Sequence, residues 1–147
     1  MRKRYEHEIV VERPIDEAFP LFTPKGEEDW VPGWKPVYFA PESGETQKDM
    51  LFATGENAER TWWTCLEWDP ERHRVRYLRL TPDSRAAFVE VNCQARNSGS
   101  TMVAVSYDVQ ALGKAGEAYM DEMTDEAFAE MIGEWPELIA KSNRAAA

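Results

Sequence analysis

RAAFVEVNCQARNSGSTMVAVSYDVQALGKAGEAYMDEMTDEAFAEMI, residues 85–132, is the stretch that decides the fold. Its first part alternates: Arg85, Ala87, Val89, Val91 and Cys93 fall on one face, and Phe88, Glu90, Asn92 and Gln94 on the other. Asn97, Ser98, Gly99 and Ser100 supply a turn, after which Thr101, Val103, Val105, Tyr107 and Val109 again share a face. Period-two alternation on both sides of a short turn predicts two antiparallel strands with one buried face. The pattern then changes period. Met120, Met123, Ala127 and Met131 recur at three or four residues, with Tyr119, Phe128 and Ile132 beside them. Asp121, Glu122, Asp125, Glu126 and Glu130 fill the remaining positions. This predicts an amphipathic helix from Gly113 to about Ile132, ended or kinked by Gly133 and Pro136. A sheet with one apolar face and a helix with one apolar stripe must cover each other.

Upstream, residues 60–68 and 73–80 flank the turn Asp69-Pro70-Glu71-Arg72 and read as a hairpin. With Trp68 opposite His73, Leu66 pairs with Val75, Thr64 with Tyr77 and Trp62 with Arg79, while Glu67 and Arg74 form a solvent-side charge pair. The inner face then carries Trp62, Leu66, Val75 and Tyr77, and Cys65 points outward. A one-residue slip would reverse every side chain. Residues 4–13 form a first strand with Tyr5, His7, Ile9 and Val11 inward. Two short helices follow, at residues 16–22 and 24–30, the second with Thr23 and Pro24 as N-cap and first helical residue. Residues 34–40, interrupted by Pro36, read as an edge strand and residues 50–54 as a short one. The order is strand, two short helices, six strands and a long helix. It predicts one α+β domain over residues 1–147, a curved antiparallel sheet of about seven strands around a C-terminal helix.

The chain carries a formal net charge of −10. An acidic surface repels phosphate backbones, which argues against nucleic acid as a partner and against anionic membranes. No apolar run reaches the ~20 residues a membrane span requires, so no membrane insertion is expected. The N-terminus is charged and runs straight into the first strand, without a signal-peptide pattern. Cys65 and Cys93 then read as free thiols of a cytoplasmic protein.

Several segments carry a family resemblance: Phe19-Pro20-Leu21-Phe22-Thr23-Pro24, Trp30-Val31-Pro32-Gly33-Trp34, Tyr77-Leu78-Arg79-Leu80-Thr81-Pro82, and residues 101–107. With the element order, they make the chain resemble small bacterial members of the START/SRPBCC superfamily, the helix-grip fold of Bet v 1-like proteins and polyketide cyclases. The resemblance implies a pocket between sheet and helix. It does not choose among the lipid, sterol, hormone or polyketide ligands of that group, nor between binding, cyclase or hydrolase chemistry and assistance to other proteins.

The residues themselves narrow the choice only in part. No His, Cys or carboxylate cluster has metal-ligand spacing, no nucleophile or phosphate-binding motif is present, and no cofactor is implied. His7 reads as a hydrogen-bonded histidine of the first strand. Twelve per cent of residues are aromatic, more flat surface than a small core needs. Trp34, Tyr38, Trp62, Tyr77 and Tyr107, with Met120 and Met123 of the helix, are therefore candidate walls for a small hydrophobic ligand. Arg79 and Arg85 complete the candidate set. Placed inward, they require either acidic partners from the helices and early loops or an anionic group on a ligand. An enzyme of cyclase or hydrolase type, using His7, Tyr77, Tyr107 and Arg79, is the alternative. A third reading is an interaction protein or homodimer using surface aromatics such as Trp63.

Overall fold

The computed structural model describes the backbone of residues 1–146 and the side chains of residues 1–142. Seven antiparallel strands are joined in the order β1-β7-β6-β5-β4-β3-β2. They are β1 (Arg2–Val11), β2 (Val37–Ala40), β3 (Leu51–Thr54), β4 (Thr61–Asp69), β5 (Arg74–Thr81), β6 (Arg85–Asn97) and β7 (Ser100–Ala111). β2 to β7 form a meander, as short turns dictate. β1 returns to pair with β7, so β1 and β2 lie at opposite edges of the sheet. The connection between them must therefore cross the molecule. It does so through α1 (Ile15–Ala18), a 3-10 turn (Phe19–Phe22) and α2 (Pro24–Glu27). That crossing brings Phe22, Glu27 and Trp30 over the open end of the sheet.

The faces of β1, β6 and β7 follow the alternation expected of them. Tyr5, Ile9 and Val11 of β1, Ala87 to Cys93 in alternate positions of β6, and Val103, Val105, Tyr107 and Val109 of β7 are all buried. The β4–β5 hairpin does not follow the expected register. A bulge falls between Cys65 and Glu67, leaving Leu66 outside the ladder. Before the bulge Trp63 pairs with Arg79 and Cys65 with Tyr77; after it Trp68 pairs with Val75. One extra residue turns the following side chains over. Trp63 and Cys65 therefore face inward in place of Trp62 and Leu66. Cys65 is fully buried and Trp62 is 46% exposed, packed against Phe39 of the edge strand on the outer face. Glu67 and Arg74 still meet on the outer side, at 3.8 Å.

The long helix is also displaced from its expected span. Residues 113–132 are divided into α3 (Lys114–Glu122) and α4 (Asp125–Gly133), because Met123 leaves the helical region (φ −83°, ψ 81°) and Thr124 starts a new helix. Its Oγ1 accepts the Ala127 backbone N–H at 3.1 Å, as an N-cap should. α4 ends at Gly133, where the break was expected, and the path continues beyond it. Glu134 keeps helical dihedrals (φ −80°, ψ −19°) and leads into α5 (Trp135–Ala146). Pro136 near the start of α5 lacks only an N–H that a new first turn would leave unpaired. The element that the sheet grips is thus α4 with α5. α4 rests on β1 and β7 through Phe128, which stacks on Tyr5 (centroids 5.4 Å apart) and meets Tyr107 edge-on (4.9 Å). α5 leans on the crossing segment through Trp135, 5.3 Å from Trp30 and 6.0 Å from Phe22. No helix among the described residues is long and apolar enough to cross a membrane.

Candidate functional site

Between the α4–α5 path and the sheet lies a cavity of about 390 Å³. Its floor is Phe52, Trp63, Tyr77, Arg79, Val89, Val91 and Tyr107 of β3 to β7. Met131, Glu134, Trp135 and Leu138 cover it from the helices, and the crossing segment closes one side with Phe22, Glu27, Trp30 and Trp34. A void of ~150 Å³ in an apolar core already admits benzene, so this one has room for more than a single ring.

The polar atoms of the wall are mostly committed. The Trp30 indole donates to the Leu21 carbonyl (2.8 Å) and that of Trp34 to the Pro24 carbonyl (2.9 Å). The Trp63 indole donates to Thr54 Oγ1 (2.9 Å), and the Tyr77 hydroxyl to the Phe22 carbonyl (3.0 Å). The Tyr77 bond ties the crossing segment to the sheet, the others brace each from within, and together they present ring faces and edges to the cavity. Trp63 stacks on Phe52 (5.4 Å, 12° between planes), and Trp34 meets both edge-on. Such contacts fix the rings and make the wall stiff.

Two charged groups remain within it. Arg79 comes from β5, where the bulge sets it opposite Trp63, and its guanidinium lies over the Tyr107 ring (4.5 Å to the centroid) and near that of Trp63 (5.6 Å). No carboxylate among the described residues lies within 4.0 Å of it to form an ion pair. Glu27 sits at the end of α2, and local packing aims it inward. The Thr23 hydroxyl caps α2 by accepting the Gly26 N–H (3.0 Å) and donates to the Pro20 carbonyl (2.7 Å). A Cβ at Gly26 would lie 1.9 Å from that carbonyl oxygen, so glycine alone lets the helix seat this closely. Glu27 is half-buried and lines the cavity. Burial pushes its carboxyl up to about 8, against the opposing pull of Arg79. Burial likewise raises the Tyr107 and Tyr77 hydroxyls.

Of the residues predicted from sequence, the structure brings Trp34, Tyr77, Arg79 and Tyr107 together around the cavity. The others lie elsewhere, each for a local reason. Trp62 faces out because of the bulge. Tyr38 packs on Phe52 from outside the lining and donates its hydroxyl to Glu28 (2.7 Å). Arg85 is inward but occupied: it bridges Glu59 at 2.9 Å, donates to Ser84 Oγ at 3.0 Å and stacks 3.9 Å over Tyr119. Met120 lies buried under α3 and Met123 at the helix break, both away from the lining. His7 is half-buried on β1 and also outside it. Among the lining residues that the expected site did not contain are Glu27, Trp30, Trp63 and Trp135. Glu27 had a faint signal in the Thr23-Pro24 start of α2, while Trp135 had none once the helix was ended before it. Burial raises the thiols of Cys65 to about 11 and Cys93 to about 12, so neither is a nucleophile at neutral pH. No three His, Cys, Asp or Glu side chains among the described residues converge as a metal set.

A seven-stranded antiparallel sheet gripping a C-terminal helix over such a cavity is a helix-grip fold, and comparison with solved structures bears the fold out. Norcoclaurine synthase from Thalictrum flavum, in complex with dopamine and hydroxybenzaldehyde, superposes with a TM-score of 0.68 at 14% identity, over 96% of this chain and 88% of that one. The Zhui aromatase/cyclase from Streptomyces sp. R1128 gives 0.60 at 16%, over 100% and 97%, and Ara h 8.0201 gives 0.63 at 14%, over 97% and 94%. Neither a scan of protein-family models nor a sequence search of curated proteins gives a match.

Proposed function

We propose that the protein binds a small, largely hydrophobic molecule with a flat aromatic body in the cavity under α4 and α5. The observation that carries this is the wall itself. Eight aromatic residues enclose about 390 Å³ beside aliphatic side chains, and the indoles of Trp30, Trp34 and Trp63 and the Tyr77 hydroxyl are spent on the protein. Pockets for small molecules are largely apolar with a few placed polar groups, and this one matches. A thermal-shift screen of neutral two- and three-ring aromatics tests it. Binders should raise the melting temperature of the wild type. Val91→Phe, which puts a ring into the void from β6, should remain folded and abolish that rise; stabilisation that survives Val91→Phe would sink the proposal.

A second reading, catalysis of a cyclase or aromatase type, is favoured by one feature. Glu27 is an ionisable carboxyl whose proton is held to about pH 8, inside an aromatic cavity and beside a guanidinium and a phenol. Such a group can move a proton at a carbonyl-bearing substrate near neutral pH. The reading requires turnover of a reactive poly-ketone or aldehyde substrate that falls at least a hundredfold in E27Q. Equal turnover in E27Q and wild type would remove Glu27 from any mechanism.

A further inference from the structure

The cavity has two unlike ends. Most of the wall is rings and aliphatic groups, while Arg79 reaches it from β5 and Glu27 from α2. Arg79 is bracketed by the Tyr107 and Trp63 rings and has no carboxylate in ion-pair contact among the described residues. The half-buried guanidinium retains its hydrogen-bonding demand, and the ring faces and the Tyr107 hydroxyl meet only part of it. Were Glu27 meant to neutralise it, the two should touch; they share the cavity without doing so.

We infer that the cavity selects an aromatic carboxylic acid, with the ligand's carboxylate held between the Arg79 guanidinium and the Glu27 carboxyl group. The inference rests on the binding function proposed above and adds the chemical class of the ligand. Arg79 supplies charge and a two-pronged donor that suits a carboxylate. Glu27 supplies an O–H donor, so two carboxyl groups share one proton, since two carboxylates in so small a space cannot both be ionised. Burial holds that proton on Glu27 at neutral pH. Other titratable groups surround Glu27. Tyr38 of β2, Tyr77 of β5 and Tyr107 of β7 are all raised above the ordinary tyrosine value by burial. Glu28, next to it on α2, accepts from Tyr38 and lies 3.5 Å from Lys25; Glu134 reaches the cavity from the helix path, exposed to solvent. Glu59 lies beyond Arg79 and is held by Arg85.

Isothermal titration calorimetry with 2-naphthoic acid and its neutral amide, from pH 6.5 to 9.5, tests the inference. The acid is ionised throughout, so any pH dependence belongs to the protein. The wild type should bind the acid at least tenfold tighter than the amide at pH 6.5. The acid's affinity should then fall about tenfold for each pH unit above 8, as linkage requires when the free protein must first take up a proton. E27Q should keep the preference and lose the pH dependence. R79M should lose the preference and keep amide binding, and R79K should recover part of it. Equal binding of acid and amide, a preference that survives R79M, or a flat pH profile in the wild type would each overturn the carboxylate site while leaving the cavity as an apolar binder. Binding of neither compound would overturn the binding function and this inference with it.

Discussion

The concave face of the sheet has two halves that the same strands build in opposite ways. Under α3 and α4 it is filled: Phe128 and Ile132 press onto Tyr5, Val103 and Val105, all 1% exposed or less. The charge of Arg85, which enters that region, is covered by Tyr119 of α3 and bridged by Glu59. Under α5 the face is hollow, and Arg79, which shares the face with Arg85, meets rings and empty space. Strand alternation puts both arginines on the same side. What separates them is the element above: a helix with an aromatic residue in reach, or a helix held off the sheet by Trp135 resting on Trp30 and Phe22.

Substitutions that treat the halves alike should expose the difference. The largest effect is expected from Phe128→Ala, which opens a void in the filled half and should cost about 4 kcal/mol in urea unfolding. Leu138→Ala, whose side chain already borders empty space, should cost about 1 kcal/mol. Equal losses would mean that the cavity closes in solution. Next comes E27Q. The Glu27 carboxyl keeps its proton to about pH 8 in the fold, but an unfolded chain releases it near the ordinary value of 4.5. The native state therefore binds the extra proton between these limits, and wild-type stability should fall as pH rises from 4.5 to 8. E27Q should abolish that fall, raising stability at pH 8 and leaving it almost unchanged at pH 4. The smallest effects concern the arginines. Arg85→Ala should cost about 1 kcal/mol, less in high salt, because Glu59 is 66% exposed and stays hydrated when left alone. Arg79→Met should cost nothing or stabilise by about 0.5 kcal/mol, since it removes a charge without an ion-pair partner. A loss at Arg79 as large as at Arg85 would erase the distinction drawn between them.

The element order and the faces of β1, β6 and β7 were legible because those strands have one buried face and short turns, which leave a single register. The β4–β5 hairpin was not, for a specific reason. Trp62 and Trp63 are adjacent, both large and apolar, so alternation cannot say which one faces in, and the bulge at Leu66 decides it. The helix path was misplaced because the apolar positions of α3 and α4 continue in phase across Met123. The stronger signal was local: Thr124 followed by Asp125 and Glu126 is an N-cap with an acidic first turn. Arg79 was legible as an inward charge. Glu27 was not, since its direction comes from Gly26 lying against the Pro20 carbonyl, a contact between neighbouring turns that no periodicity reports.

The distribution of tryptophan gives the molecule a built-in optical probe. Four of its six indoles, Trp30, Trp34, Trp63 and Trp135, border the cavity. They fall into two close pairs, Trp30 with Trp135 at 5.3 Å and Trp34 with Trp63 at 5.6 Å, crossed at 66° and 84°. Chromophores so near and so steeply inclined exchange excitation, and their coupled transitions give signed bands in circular dichroism that single indoles lack. The pairs span different seams, one between the crossing segment and α5, the other between the crossing segment and β4. A guest that pushed α5 outward would dim the first couplet and spare the second, while the outward-facing Trp62 reported only solvent. The spectrum alone would then reveal which wall had moved.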